Sequence, residues 1–257
     1  LSLVVSTYIL IGQVSILGVP VHDVTLHEAC DLVEHMIVQG EVQQIATVNP
    51  EFIMAARRGP EFMYVLQHTA LNVPDGIGIL WAARRKQHPL RTRVPGIELM
   101  DKLCGVASIH RWRAYFLGAQ PGVAERAAAA LALKYPGLMI AGTYAGSPSP
   151  NEDAEIVARI RAAQPQLLFV AFGAPSQDMW LARNLPRIAS QVHSPIGCVG
   201  MGVGGAFDFI TGVQVRAPEW MRDAGLEWLY RLVRQPWRWK RQLNLVRFVA
   251  ATMLESR

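Results

Sequence analysis

The sequence predicts an α/β fold: a Rossmann-like, mostly parallel sheet flanked by helices, with a helical appendage at the C-terminal end. Three observations carry this. Short apolar runs alternate with longer helical patterns, the order of an α/β sandwich. Several of those runs lack the apolar–polar alternation of a half-exposed sheet, as strands buried on both faces do. And a chain of 257 residues, 51% hydrophobic and 18% charged, has core enough for one large domain and excludes disorder.

The elements follow in order. Residues 1–22 carry no charge, and the chain begins at Leu1 rather than Met. Without a basic n-region they are expected to lead into a first strand, Val14–Leu17, and not to form a signal anchor. Thr25-Leu-His-Glu28 is a capping box that starts a helix. A strand over Gln44–Val48 runs into Asn49-Pro50, where Asn caps and Pro starts a helix over Glu51–Arg58. Strands over Thr69–Val73 and Ala114–Leu117 come next. Pro121 opens an Ala-rich helix that ends before Tyr135-Pro136-Gly137. After a strand over Met139–Tyr144, Ser149-Pro-Asn-Glu152 reads as a second capping box. Leu167–Ala171 and Ile196–Val199 are the last strands. Residues 188–207 are uncharged, but Pro195 and five glycines break them, so no transmembrane helix is expected. Cys30, Cys104 and Cys198 have no CxxC spacing, which argues against a disulfide framework and fits a reducing compartment.

Strand signals cease near residue 211. Residues 1–211 carry sixteen basic and sixteen acidic side chains, and residues 212–257 carry nine and four. The whole excess of +5 therefore sits in the appendage, with four of the seven tryptophans: Trp220, Trp228, Trp237 and Trp239. Residues 1–211 are expected to form the core. Residues 212–257 are expected to form a basic, Trp-rich helical appendage that docks on an anionic membrane surface. Arg231, Arg234, Arg238 and Arg241 recur at steps of three, four and three, one stripe of a helix, although Pro236 interrupts it. Such a stripe is also read as a solvated face or as a site for diphosphate. Nucleic acid is not expected, since the body is neutral and holds no nucleic-acid module.

Ligands of parallel sheets bind beyond the carboxyl ends of the strands. There the chain places Thr47-Val-Asn49-Pro50, Pro74-Asp75-Gly76-Ile-Gly78, Gly118-Ala-Gln120, Gly173-Ala-Pro175-Ser-Gln177-Asp178 and Gly200-Met-Gly202-Val-Gly204-Gly205-Ala-Phe207-Asp208. The last run matches a dinucleotide fingerprint, but late in the chain and with no strand after it. It reads equally as a phosphate-binding loop or a close-packed turn. Asp75 reads as a general base or as the cap of a following helix. No D-x-D is present and the histidines do not cluster, so no metal is expected. GxSxG and P-loop motifs are absent as well, and no cofactor is called for.

With Arg93-Val-Pro-Gly96, Arg216-Ala-Pro-Glu-Trp220 and Glu227-Trp-Leu-Tyr-Arg231, these motifs resemble the WecG/TagA/CpsF glycosyltransferases from about Val14 onward. The resemblance implies an inverting, metal-independent transfer of N-acetylmannosamine or its uronic acid from a UDP-sugar. The acceptor it implies is N-acetylglucosaminyl-diphospho-undecaprenol at the inner face of the cell membrane, in teichoic acid or related polysaccharide synthesis. By the same likeness Asp75 is the base, Thr47, Asn49 and Gln177 match pocket residues, and the arginines of the appendage complete the site; Thr47 is expected to share the catalytic role, and Arg231, Arg234 and Arg238 to bind substrate. The glycine loop is expected to bind substrate too, through Gly202, Gly204, Gly205 and Asp208. Family members associate through exposed faces, so a homo-oligomer is an open state. An NAD-dependent nucleotide-sugar oxidoreductase or epimerase is the alternative, and a non-enzymatic adaptor the third reading.

Overall fold

The computed structural model describes residues 11–189, 197–223, 227–234 and 239–255. The expected lead-in over residues 1–10 lies outside them. The chain opens with a hairpin of β1 (Gln13–Ile16) and β2 (Val19–His22), paired antiparallel across a turn at Leu17-Gly18. Both turn residues have positive φ, 50° and 88°, as the tightest hairpin turns require. The expected first strand is therefore part of a hairpin and not of the main sheet. Its partner escaped the sequence pattern because Leu is an unusual left-handed residue and Pro20 marks an edge strand.

The remaining elements are α1 (Leu26–Val38), β3 (Val42–Val48), α2 (Pro50–Ala56), α3 (Pro60–His68), β4 (Leu71–Pro74), α4 (Ile77–Arg85), α5 (Gly96–His110), β5 (Arg113–Gly118), α6 (Val123–Lys134) and β6 (Met139–Tyr144). They continue with α7 (Asp153–Ala163), β7 (Leu167–Ala171), α8 (Ser176–Ala189), β8 (Cys198–Gly202), α9 (Ala206–Ile210), α10 (Glu219–Asp223), α11 (Glu227–Arg234) and α12 (Trp239–Leu254). The first capping box closes as expected: Thr25 N–H donates to Glu28 Oε2 at 2.8 Å and Glu28 N–H to Thr25 Oγ1 at 3.2 Å. The second does not. Ser149 caps a single 3₁₀ turn, and Ser147 Oγ captures the Glu152 carboxylate at 2.7 Å.

Six strands form one sheet in the order β4-β3-β8-β7-β5-β6, with every pair parallel. The expected Ile196–Val199 strand is displaced: β8 runs to Gly202, and Ile196 lies outside the described residues. Gly200 and Gly202 read as a loop but sit in a strand because α8 packs against it closely. A Cβ on Gly200 would stand 2.6 Å from Leu181, and one on Gly202 2.5 Å from Gln177 Nε2. On one face of the sheet lies a core built from α1, α5, α6 and α9. On the other, α2, α3, α4 and the hairpin form one cluster, and α7 and α8 another. The hairpin also covers the β4 edge. Asn72 Nδ2 donates to Pro20 O at 2.9 Å, and Asn72 N–H donates to His22 Nδ1 at 3.0 Å. Burial lowers the His22 pKa and so keeps that nitrogen an acceptor.

The C-terminal helix α12 returns to the body. Phe248 is fully buried among residues of α2 and α4. It packs on Gly78, whose Cβ position lies 3.8 Å from the Phe248 ring, and the close approach that this glycine permits is to Pro50, 2.7 Å from the same position. Arg85 donates to the carbonyls of Thr252 and Met253 at the end of α12, a favourable place for a cation. Lys86 pairs with Glu255 at 2.7 Å.

Candidate active site

Asp75 follows β4, the strand under the hairpin, and its N–H is held by Val48 O of neighbouring β3 at 2.8 Å. Gly76, at φ 108°, occupies the cap position of α4. Asp75 Oδ2 accepts from the N–H of Gly96, the first residue of α5, at 3.5 Å. That helix starts without a side-chain cap; Glu98 N–H is taken by Pro95 O at 3.0 Å, and the Gly96 amide with the helix dipole favours a carboxylate. Val94 N–H donates to Pro74 O at 2.7 Å, locking the preceding loop to the end of β4. Thr47, buried on β3, packs on the same glycine: a Cβ there would lie 3.0 Å from Thr47 Cγ2 and 3.2 Å from its Oγ1. Thr47, Asp75 and Gly96 thus converge through β3, β4 and α5.

Asn49 caps α2, its Oδ1 accepting from Phe52 N–H at 3.0 Å. The oxygen is spent on the helix, and Nδ2 makes no hydrogen bond among the described residues. Gln177 is buried and clamps two loops. Its Oε1 accepts from Gly173 N–H at 3.2 Å and from Gly204 N–H at 2.9 Å. Both glycines have positive φ and open space where a Cβ would stand, so a ligand can approach their backbones closely. The amides of the β8 loop, however, are largely used within the protein. Val203 N–H goes to Val170 O, Gly204 N–H to Gln177, and Ala206 N–H to Val203 O. The expected cradle of N–H groups is therefore mostly a packed turn, leaving the amide of Gly205 at the start of α9. Gly202 is buried at the end of β8 beneath Gln177. Asp208, on α9, accepts from Gln214 Nε2 at 3.3 Å, and burial raises its pKa.

The arginine stripe is only partly described. Arg231 lies in α11 but its side chain falls outside the described residues, as does all of Arg238. Arg234 is exposed and lies over the ring of Tyr230, 5.6 Å from its centroid, on its own helix. It does not join Asp75 in this structure.

Three features escaped the sequence reading. Arg93, in the loop anchored by Val94, is half-buried and makes no side-chain hydrogen bond or ion pair among the described residues. It is a cation within three residues of Gly96, and its place in the Arg-Val-Pro-Gly motif was the available signal. Asp178 is fully buried, and neither carboxylate oxygen has a hydrogen-bond partner among the described residues. Burial pushes its pKa up to about 7. Arg216 pairs with Glu98 in the first turn of α5 at 3.2 Å; nothing in the spacing links residues so far apart. No group of three or more His, Cys, Asp or Glu side chains gathers as a metal site among the described residues.

The sequence model of the glycosyl transferase WecG/TagA/CpsF family matches residues 14–257. Among curated proteins, the chain is similar to the N-acetylglucosaminyldiphosphoundecaprenol N-acetyl-beta-D-mannosaminyltransferase of Bacillus subtilis (strain 168). The two are 34% identical over 227 residues, 88% of this chain and 85% of the relative. The protein of that name from Staphylococcus aureus (strain MW2) is 31% identical over 232 residues, 90% of this chain and 87% of the relative. That from Bacillus spizizenii is 32% identical over 213 residues, 83% of this chain and 79% of the relative.

Proposed function

The chain belongs to the WecG/TagA/CpsF family of glycosyl transferases, and from that premise we propose that it transfers N-acetylmannosamine, or its uronic acid, to N-acetylglucosaminyl-diphospho-undecaprenol. The names of its relatives support this acceptor and the mannosaminyl group, and they lend nothing to the oxidoreductase alternative. The product feeds teichoic acid or a related surface polysaccharide.

The donor is a UDP-sugar and the transfer inverts the anomeric centre. The observation that carries this reading is Asp75 at the carboxyl edge of the sheet, steadied by Gly96 N–H and flanked by Thr47. Its carboxylate takes the proton of the acceptor hydroxyl as that oxygen attacks the anomeric carbon. The bond to the β-phosphate oxygen breaks and UDP leaves with its electron pair. Charge builds on that oxygen, and a positioned cation lowers the barrier. Since the β8 loop spends most of its amides internally, the candidate cations are Arg93, in the loop tied to the end of β4 by Val94, and the arginines of the appendage, Arg231, Arg234 and Arg238. Gln177 serves by holding open the glycine backbones over which the donor lies, and Asn49 Nδ2 and Gly205 N–H offer further polar contacts. No metal is required in this scheme.

The body to residue 211 supplies the base and the donor side, and residues from Gly212 onward dock the enzyme at the cytoplasmic face of the membrane. Val213, Val215, Trp220, Trp228, Leu229, Val233, Leu243, Val246, Met253 and Leu254 are all exposed large apolar side chains of this region, and they stand beside its basic excess. Among the described residues no helix is long and apolar enough to cross a membrane. Apolar insertion with basic attraction is the corresponding mode of binding.

The test is a donor screen. The protein is incubated with a short-chain N-acetylglucosaminyl diphospholipid and several UDP-sugars, with and without EDTA, and products are read by mass. A disaccharide lipid from UDP-N-acetylmannosamine or its uronic acid, formed equally in EDTA, is expected. Transfer from neither donor defeats the substrate assignment, and loss in EDTA with rescue by Mg²⁺ or Mn²⁺ defeats the metal-free scheme.

A further inference from the structure

Residues 212–217 leave the body as a strap with alternating side chains. Gly212, at φ 73° with open space around its Cβ position, ends α9 by donating its N–H to Phe209 O at 3.3 Å. Gln214 turns inward: its Nε2 reaches Asp208 Oδ2, and its backbone N–H donates to Asp208 O at 3.0 Å. Arg216, two residues on, also turns inward, its Nη2 donating to Glu98 Oε1 at 3.2 Å. Val213 and Val215 between them are exposed, and Ala217 is buried. The strap is therefore tied twice, first to the helix after the glycine loop and then to the first turn of α5. Two residues before Glu98 is Gly96, whose N–H faces Asp75 and whose Cα supports Thr47. The far end of the region is fixed separately, by α12 on the helices that start after Asn49 and Asp75. The chain between these anchors carries the arginine stripe.

We propose that the Arg216–Glu98 pair is a positioning link: it fixes where the C-terminal helices begin relative to the helix that steadies Asp75, so turnover depends on a pair that touches no substrate. The proposal rests on the reading that Asp75 and the appendage act in one site. A partly exposed ion pair contributes little to stability, so a merely structural role predicts a small change in melting temperature and none in kcat. Misplacing reacting groups by a fraction of an ångström is costly by contrast.

The variants Arg216→Gln, Glu98→Gln and the exchange Glu98→Arg with Arg216→Glu are assayed with the soluble acceptor, which needs no membrane. Each single variant is expected to lower kcat about tenfold or more while KM for the donor stays within about twofold, and the exchange to recover most of the loss, as a coupled pair does. Wild-type kcat in Glu98→Gln overturns the link and points to Arg216 acting on substrate directly. An exchange variant no better than the singles also overturns it. If Arg216→Gln fails to fold, Glu98→Gln, which keeps the arginine, carries the test. If the wild type transfers no sugar, the reaction assignment fails on its own, and amide exchange of Gln214 to Ala217 decides the link. Faster exchange in both singles, restored in the exchange variant, supports it, and unchanged exchange overturns it.

Discussion

Helix α11 turns Trp228, Leu229 and Val233 outward, the last 72% exposed, whereas α12, only a few residues further on, sinks Phe248 to 0% exposure in the body. Both belong to the same basic, Trp-rich stretch by composition. What separates them is a partner. Gly78 lets α4 close on Pro50 at the start of α2, and Phe248 is buried against these helices, while Arg58, Arg85 and Lys86 grip the outside of α12. On α11, by contrast, Val233 stands open and Trp228 and Leu229 are only partly covered. One helix completes a core and the other offers itself to something else. A boundary drawn at Gly212 is thus a boundary of charge, while the packing of the body extends through α12.

Deleting everything after Gly212 should break this contrast most severely. It strips Phe248, Thr252 and the Glu255 pairings from the α2–α4 cluster at once, and thermal unfolding should lose its cooperative transition. A sharp transition near the wild-type temperature would mean that α12 adds nothing to the body. Phe248→Ala isolates the packing part. Emptying a buried Phe site costs about 3–5 kcal/mol, to be read by denaturant unfolding, while vesicle binding by the folded protein should be retained.

A similar contrast of inward and outward placement separates two acids of the sheet edge. Asp75 faces the edge with a helix amide before it, and Asp178 is enclosed without a partner oxygen or nitrogen among the described residues. The unfolded chain releases the Asp178 proton near pH 4, and the folded chain holds it to about pH 7. Between those values the folded state binds more protons, so this group makes stability fall as pH rises. Asp178→Asn should therefore match wild type near pH 4 and exceed it by about a few kcal/mol at pH 8, as a buried charge is removed. Equal stability at both pH values would show that the carboxylate is solvated or paired. The smallest effect is expected on the outward side. Trp228→Ala and Val233→Ser should change stability by no more than about 0.5 kcal/mol yet weaken binding to anionic vesicles. The electrostatic remainder should fade with salt as the Debye length shortens from about 8 Å at physiological strength.

The parallel sheet was readable because its strands are continuous apolar runs between helices with clear starts, such as Thr25–Glu28 and Asn49-Pro50. The hairpin was not, because its turn uses Leu17 at positive φ. The end of β8 was misread because glycine has two uses: Gly200 and Gly202 make room for α8, and only Val203 to Gly205 form the loop. At the site, the positions of Thr47, Asp75 and Gln177 followed from the ends of strands. Their working partners did not. Gly96 reaches Asp75 from a separate helix, Gln177 spends its oxygen on two backbone amides, and Arg216 finds Glu98 across more than a hundred residues. Contacts of that range are made by the folded sheet and leave no local pattern. The buried Asp178 sits next to Gln177 in the same motif, but a carboxylate beside a helix start reads as an ordinary first-turn acid until its burial is known.

The central claim, that the Thr47–Asp75–Gly96 corner is where the acceptor loses its proton, is tested most directly by Asp75→Asn in the disaccharide-lipid assay, with UDP binding measured in parallel. Asparagine keeps the size of the side chain and an oxygen for Gly96 N–H while removing the base. Turnover should fall about 100-fold or more, with UDP affinity and melting temperature near wild type. Turnover within about threefold of wild type, well short of the loss expected for a general base, would contradict the account and move the base elsewhere on the sheet edge.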